Sequence, residues 1–471
     1  MNRLVKCALV MACCAGICVH AQAPQKVNPA DERYKADILI VVAHPDDEAF
    51  FTPYAVKALN DMHKRVAVVF GTRGGSGGNR YTRERGQAMA NEREIEAREA
   101  CTKLGIRNVW FLDGKDSASQ NVLDSLSNWG HGANLERLVG LIRLTRPDVI
   151  LTHHPGVFVG ENHGDHQATG VLVVEAFDLA GNPTVFPSQL SGDMTHYESY
   201  LSNLQPWQTR KIYVGSDAED GKQFDGSGPT YSPREISPSL KKPYWRVALD
   251  SAMSHKTQFP EDIERMSKMT DEQLEKIMND PNTGWWGDPS TLIFAKSVVG
   301  GAATDGVFSH VEEKPANPAT QVVASCSGGA PNAGEAGVEL GGPWHFYKDF
   351  YPAHGLCGLK VAKEPEIGVK AGTTLIIPLV VRHDALKPAQ LSVTVNLPAG
   401  WKAGPGDLKF ALPGEASTAV SIQVETPALS GEELRKAQPQ ELRVKAEVDG
   451  KPAGEVKLNV VLRGGGLPQS L

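Results

Sequence analysis

Two short stretches of the 471-residue chain carry residue types that do chemistry together. The first is Ala43-His44-Pro45-Asp46-Asp47-Glu48, an imidazole followed by three carboxylates. The second starts at Thr152-His153-His154-Pro155 and runs on to His163-Gly164-Asp165-His166. A hydrolytic zinc site needs about three ligands of the His and carboxylate type, with one corner left for water. Zinc lowers the pKa of that water to about 7. A nearby carboxylate then takes its proton, and a cationic or hydrogen-bonding group steadies the oxyanion. The two stretches hold residues for all of these roles. Either one alone also reads as polar loop, with Asp46 or Asp47 as a helix cap. Both together, each just after an apolar run, point to a shared site.

The elements that must position them follow from periodicity. Ile38 to Val42, Val66 to Phe70, Val109 to Leu112, Val149 to Leu151 and Ile212 to Val214 are short runs, mostly apolar on both faces. Such runs suit strands covered by helices on both sides. Between them lie helical stretches, Arg83 to Leu104, Leu135 to Thr145 and Asp165 to Leu179, closed by Gly105, Pro147 and Gly181. The alternation predicts an α/β domain with a mostly parallel sheet. Ligands of such sheets bind beyond the carboxyl ends of the strands, where both stretches fall. Residues 183–310 read as long loops around a helix over Glu261 to Met278, within a first domain that runs from 22 to 312, and 313–363 as a linker or extended wrap. From 364 to 463 period-two segments separated by turns predict a β-sandwich.

Hydrophobic residues at 41% and charged residues at 22% are ordinary globular values and exclude disorder. The length suits two or three domains. A net charge of −7 without basic runs excludes nucleic acid as a partner. Arg3 and Lys6 precede an apolar run from Ala8 to Val19, with small residues at Ala21 and Ala23. This predicts a signal peptide over about 1–21, a mature domain from 22, and a secreted or periplasmic protein. Lipid attachment at Cys13 is the weaker reading. No segment is long enough for stable membrane insertion. Cys101, Cys326 and Cys357 remain after the leader. Cys326–Cys357 is the expected disulfide and Cys101 a buried thiol.

At 43–48 and 163–166 the sequence resembles the LmbE-like (PIG-L) N-acetylglucosaminyl deacetylase family, over about residues 36–215. The Ala-His-Pro-Asp-Asp-Glu and His-x-Asp-His motifs of that family are both intact. The resemblance implies a Rossmann-like fold and a Zn2+ cofactor held by His44, Asp47 and His166. It implies Asp46 as general base, His163 as the group stabilising the tetrahedral intermediate, and Asp165 as the residue orienting a neighbouring histidine. His153 and His154 are not ligands in the family pattern. Three further resemblances assign substrate contacts. Arg93 and Glu96 match an Arg-x-x-Glu helix, which makes Arg93 a sugar-hydroxyl contact or a surface ion pair. Asp113, in a loop with Asp116, faces the sugar. His255, in a His-x-x-Gln element, either reaches the site or has a plain structural role.

The Gly-rich stretch Gly71 to Gly78 lacks dinucleotide and P-loop spacing and reads as a mobile loop bordering substrate. Trp285-Trp286 serves sugar stacking or packing. The Leu397-Pro398-Ala399-Gly400-Trp401 stretch resembles a bacterial accessory β-sandwich of secreted carbohydrate enzymes. The expected activity is removal of an N-acyl group, N-acetyl first, from an amino sugar, glycoconjugate or related amide. The alternative is a glycan-binding protein with an inactive metal site, against which the intact Asp46 argues.

Overall fold

A computed structural model describes residues 31–117, 119–156, 164–191, 199–215, 224–280, 290–318, 336–361, 365–404 and 408–464. The expected signal peptide, His163, Trp285-Trp286 and Cys326 lie outside the described residues.

Five strands form the parallel part of the first sheet: β1 (Ile38–Val42), β2 (Val66–Thr72), β3 (Val109–Gly114), β4 (Val149–His153) and β5 (Lys211–Gly215). Two two-residue strands follow, β6 (Phe224–Asp225) and β7 (Thr230–Tyr231); the latter pairs with β8 (Ser290–Thr291). The last strand of the main sheet, β9 (Ile293–Ser297), pairs antiparallel with β5. The order is β3-β2-β1-β4-β5-β9. It is a Rossmann-like order with an antiparallel edge. Alternate residues of β1 enter two separate cores. Leu39 and Val41 join one, and Ile38, Ile40 and Val42 the other. Both faces are therefore covered, which is why the strand is apolar throughout.

The helices on those faces are α1 (Thr52–Asn60), α2 (Gln87–Lys103), α3 (Val122–Trp129), α4 (His131–Thr145) and α5 (Gly164–Leu179). Then come α6 (Tyr244–Ala252), α7 (Pro260–Met266) and α8 (Asp271–Met278). The single helix expected over 261–278 is thus two. Thr270 caps α8 with a reciprocal capping box and forces the break. Among the described residues no helix is long and apolar enough to cross a membrane.

The segment expected as a linker is more structured than its Gly, Ala and Pro content suggests. It contains β10 (Ala336–Leu340), a helix α9 (Pro343–Ala353) and β11 (Lys360–Val361), which pairs with β6. Tyr347, Phe350, Leu356 and Leu359 are buried in the same core as β1 and α5. Their apolar area supplies the docking energy that a linker reading overlooks. Cys357 is disulfide-bonded and Cys101 is a buried free thiol.

Beyond it, nine strands with β10 included make two facing sheets. One is β10-β13-β17-β15, where β13 is Thr374–His383, β17 Ala416–Glu425 and β15 Lys402–Ala403. The other is β12-β19-β18-β14-β16, with β12 Glu366–Lys370, β19 Lys451–Arg463, β18 Gln440–Val448, β14 Ala389–Asn396 and β16 Lys409–Leu412. Period-two burial of Leu375, Ile377, Leu379 and Val381 along β13 points one face into a shared core. The sandwich thus begins at residue 336, before the expected 364.

Candidate metal centre

β1 and β4 are parallel neighbours, with Val41 opposite Thr152. The chain leaves β1 toward β2 on one side and β4 toward β5 on the other. The turns after β1 and β4 therefore open the crevice at the point where strand order reverses. The backbone of Thr72 donates to the Ala43 carbonyl at 2.8 Å and fixes the first turn against β2. Asp46, which follows Pro45, takes φ of +110°, a costly conformation for a non-glycine residue.

Two distant parts of the chain meet in this crevice. His44, Asp47 and His166 present ligand atoms that all lie within 4.8 Å of one another, and all three are buried. One carboxylate oxygen, Asp47 Oδ2, is the hub. It accepts from the His44 backbone N–H at 2.7 Å and lies 3.2 Å from His44 Nδ1 and 3.4 Å from His166 Nε2. Burial opposes ionisation of Asp47, but His166 and His44 outweigh it and hold the carboxyl well below its usual range. Burial likewise works against the His44 cation, yet Asp47 and Asp116 hold its pKa up. Two imidazoles and one ionised carboxylate, clustered and buried, are a donor set suited to a divalent ion such as zinc.

Asp165 is fully buried at the start of α5. Its Oδ2 lies 3.4 Å from His44 Nε2 and accepts from the Ser117 backbone at 2.8 Å. The other ring nitrogen of His44 thus faces Asp165 while Nδ1 faces Asp47, the arrangement that orients a metal-binding imidazole. Burial, opposed by the Arg93 guanidinium, pushes the Asp46 carboxyl up to about 6. Arg93 Nη2 lies 3.1 Å from Asp46 Oδ1 and donates to the Pro45 carbonyl at 2.5 Å; Nη1 donates to the Gly74 carbonyl at 3.0 Å. Arg93 is only 4% exposed, so the surface-pair reading gives way to a buried one. Gly74, at φ +68°, is needed there because a Cβ would meet Arg93 Nη1 at 2.3 Å.

Asp113 and His255, both read from the sequence as candidate substrate contacts, have protein partners of their own. Asp113 pairs with Arg73 and, at 2.8 Å, with Arg137, and its side chain is 43% exposed. The acid that reaches the site is Asp116, 3.3 Å from His44 Nε2. His255 is 1% exposed, and its Nε2 lies 2.6 Å from Glu48 Oε1. Glu48 Oε2 accepts the Asp46 N–H at 2.9 Å. His255 therefore supports the first turn through Glu48, the structural role that the sequence left open. Glu96 completes this support by accepting from the backbone and hydroxyl of Thr257 at 2.9 and 2.6 Å.

His153 is a component that the motifs do not announce. Its ring stacks on His166 with centroids 4.2 Å apart and planes 3° from parallel, and its Nε2 lies 3.3 Å from Asp47 Oδ2. Its position as the last residue of β4, beside β1, was the available signal.

Comparison with known proteins places the turn after β1 and the first turn of α5 within one family match. Residues 39–177 match the family model PIG-L, described as GlcNAc-PI de-N-acetylase. A 1D-myo-inositol 2-acetamido-2-deoxy-alpha-D-glucopyranoside deacetylase of Thermobifida fusca is 25% identical over 47% of this chain and 82% of that protein. The diacetylchitobiose deacetylase of Thermococcus kodakarensis is also 25% identical, over 48% of this chain and 71% of its own length. Among solved structures, N,N'-diacetylchitobiose deacetylase from Pyrococcus horikoshii is 21% identical with a TM-score of 0.34, covering 52% of this chain and 78% of that one. The chain carries a PIG-L (LmbE-like) deacetylase family domain.

Proposed function

We propose that this protein is a zinc-dependent amide hydrolase that removes an N-acyl group, N-acetyl first, from an amino sugar or a related amide. The observation that carries the reading is the convergence of His44, Asp47 and His166 beside a carboxyl, Asp46, raised to about 6. The relatives named above, deacetylases of acetylated amino sugars, support the substrate class.

His44, Asp47 and His166 would hold the ion. When bound, zinc supplies a water acidified to about pKa 7 and polarises the amide carbonyl. Asp46 accepts the proton of the attacking water as its oxygen bonds to the carbonyl carbon. It then delivers that proton to the amine nitrogen as the carbon–nitrogen bond breaks. Arg93 holds Asp46 and the turn beneath it. Asp165 fixes the His44 ring. His163 steadies the oxyanion in this reading, as the family resemblance implies. We further propose that the protein works outside the cytoplasm. The leader-like first residues and the disulfide-bonded Cys357 support that placement.

The test is amine release from a panel of N-acetylated amino sugars. The full chain is expected to release free amine, to lose activity on chelation and to regain it with added Zn2+. Activity that survives exhaustive chelation would contradict the metal-dependent reading.

A further inference from the structure

We propose that α9, a helix outside the matched family region, is a positioning element of the metal centre. This rests on the reading of His166 as a ligand. The next residue, Gln167, is fully buried. Its Oε1 accepts the Tyr347 hydroxyl of α9 at 2.9 Å. Its Nε2 donates at 2.9 Å to the carbonyl of Gln120. The loop preceding Gln120 carries Asp116 and Ser117, which contact His44 and Asp165. One buried amide thus links α9, the first turn of α5 and the loop that holds the other side of the site.

A second contact braces the chain just after β4. The space beside Gly156 is filled by Tyr351, one turn beyond Tyr347. A Cβ on Gly156 would lie 2.2 Å from the Tyr351 hydroxyl oxygen and 2.9 Å from the His154 ring. The backbone that leads from His153 toward α5 therefore passes between a β4-end histidine and an α9 tyrosine, with no room for a side chain.

A third contact grips the far end of α5. Lys296 Nζ donates to both oxygens of Asp178 at 2.6 and 2.8 Å and to the His354 carbonyl at 2.7 Å. His354 Nδ1 lies 2.8 Å from Asp178 Oδ2. Asp178 is near the last turn of α5, whereas Gln167 is in its first. The helix that carries His166 is thus held at both ends by one later segment. Close-packed interiors do not deform continuously, so a helix pinned twice has one axial position. That position sets the distance from His166 to Asp47, and α9 with the His354 that follows it holds α5 from beyond the sheet domain.

Tyr347→Phe in the full chain tests this, because it keeps the ring and removes one hydroxyl. Zn2+ affinity is read by competition with a chelating dye, and the Co2+-substituted protein by its visible spectrum. Partners that orient metal ligands typically alter affinity 10- to 100-fold. Tyr347 acts one link further out, so a loss of about threefold to tenfold is expected, with a shifted Co2+ spectrum. Gln167→Leu should show a similar loss, and the double variant no more than the larger single one. Thermal unfolding, measured alongside, separates a misfolded variant from a misplaced ligand: a spectrum change at 25 °C with an intact cooperative transition supports positioning. Affinity within twofold of wild type and an unchanged spectrum would overturn the inference while leaving the metal centre standing. A wild-type protein that binds neither ion would overturn both.

Discussion

Asp46 combines a left-handed backbone, a carboxyl raised to about 6 and an arginine partner, and its behaviour should reveal each of these. A base must be ionised to accept a proton. The carboxyl is ionised above its pKa, so kcat/KM should rise with pH through about 6 and level off above it. A divalent ion held nearby draws the carboxyl lower, which makes about 6 the upper limit for this limb. Asp46→Asn preserves size and the Arg93 contact but cannot take the proton. Its kcat should fall by about 10²- to 10⁴-fold while bound zinc is retained. An unchanged kcat, or activity that rises as pH falls below 6, would remove Asp46 from this role. The residues of this site were readable where they sit close in sequence. Positions 44, 46, 47, 165 and 166 declare themselves through type and spacing. Asp116 does not, and His153 stands in the second stretch without being a ligand in the family pattern; the meaning of both depends on neighbours supplied by other strands. Of two acids three apart, Asp116 lies beside His44 and Asp113 pairs with arginines. The β2–β3 register shifts between Phe70 and Thr72, and Asp113 takes φ of +63°; its side chain is exposed against Arg73 and Arg137.

Among the elements, α5 couples the sheet to the site most tightly. Gly170 faces the turn after β4: a Cβ there would lie 2.6 Å from the His153 carbonyl oxygen and 2.8 Å from Pro155 Cα. Both are backbone atoms and cannot swing aside. In an isolated helix Gly→Ala gains about 1 kcal/mol. Overpacking against backbone costs about 1–3 kcal/mol. The second effect should win, so Gly170→Ala should lower unfolding stability by up to about 2 kcal/mol in chemical denaturation. A stabilised variant would mean that α5 stands further from β4 than described. The strands of both domains were legible because runs apolar on both faces and period-two runs differ in kind. The α9 helix was not, although Phe346, Tyr347, Phe350 and Tyr351 recur at helical spacing. The flanking Gly and Pro content hid a short amphipathic segment whose partner surface, α5, lies far away in sequence.

At the scale of the whole molecule, the two domains share residues rather than merely adjoining. The 336–361 segment gives β10 to the sandwich and α9 to the sheet domain, and the Gln120 side chain donates to the Gly368 carbonyl of β12 at 3.1 Å. The central claim remains the convergence of two chain segments on one ion. Anomalous diffraction from crystals grown with Zn2+, collected on both sides of the zinc absorption edge, tests it most directly. A single strong peak is expected about 2.0–2.2 Å from donor atoms of His44, Asp47 and His166. No peak within reach of these three side chains, in crystals where zinc binds elsewhere, would contradict it.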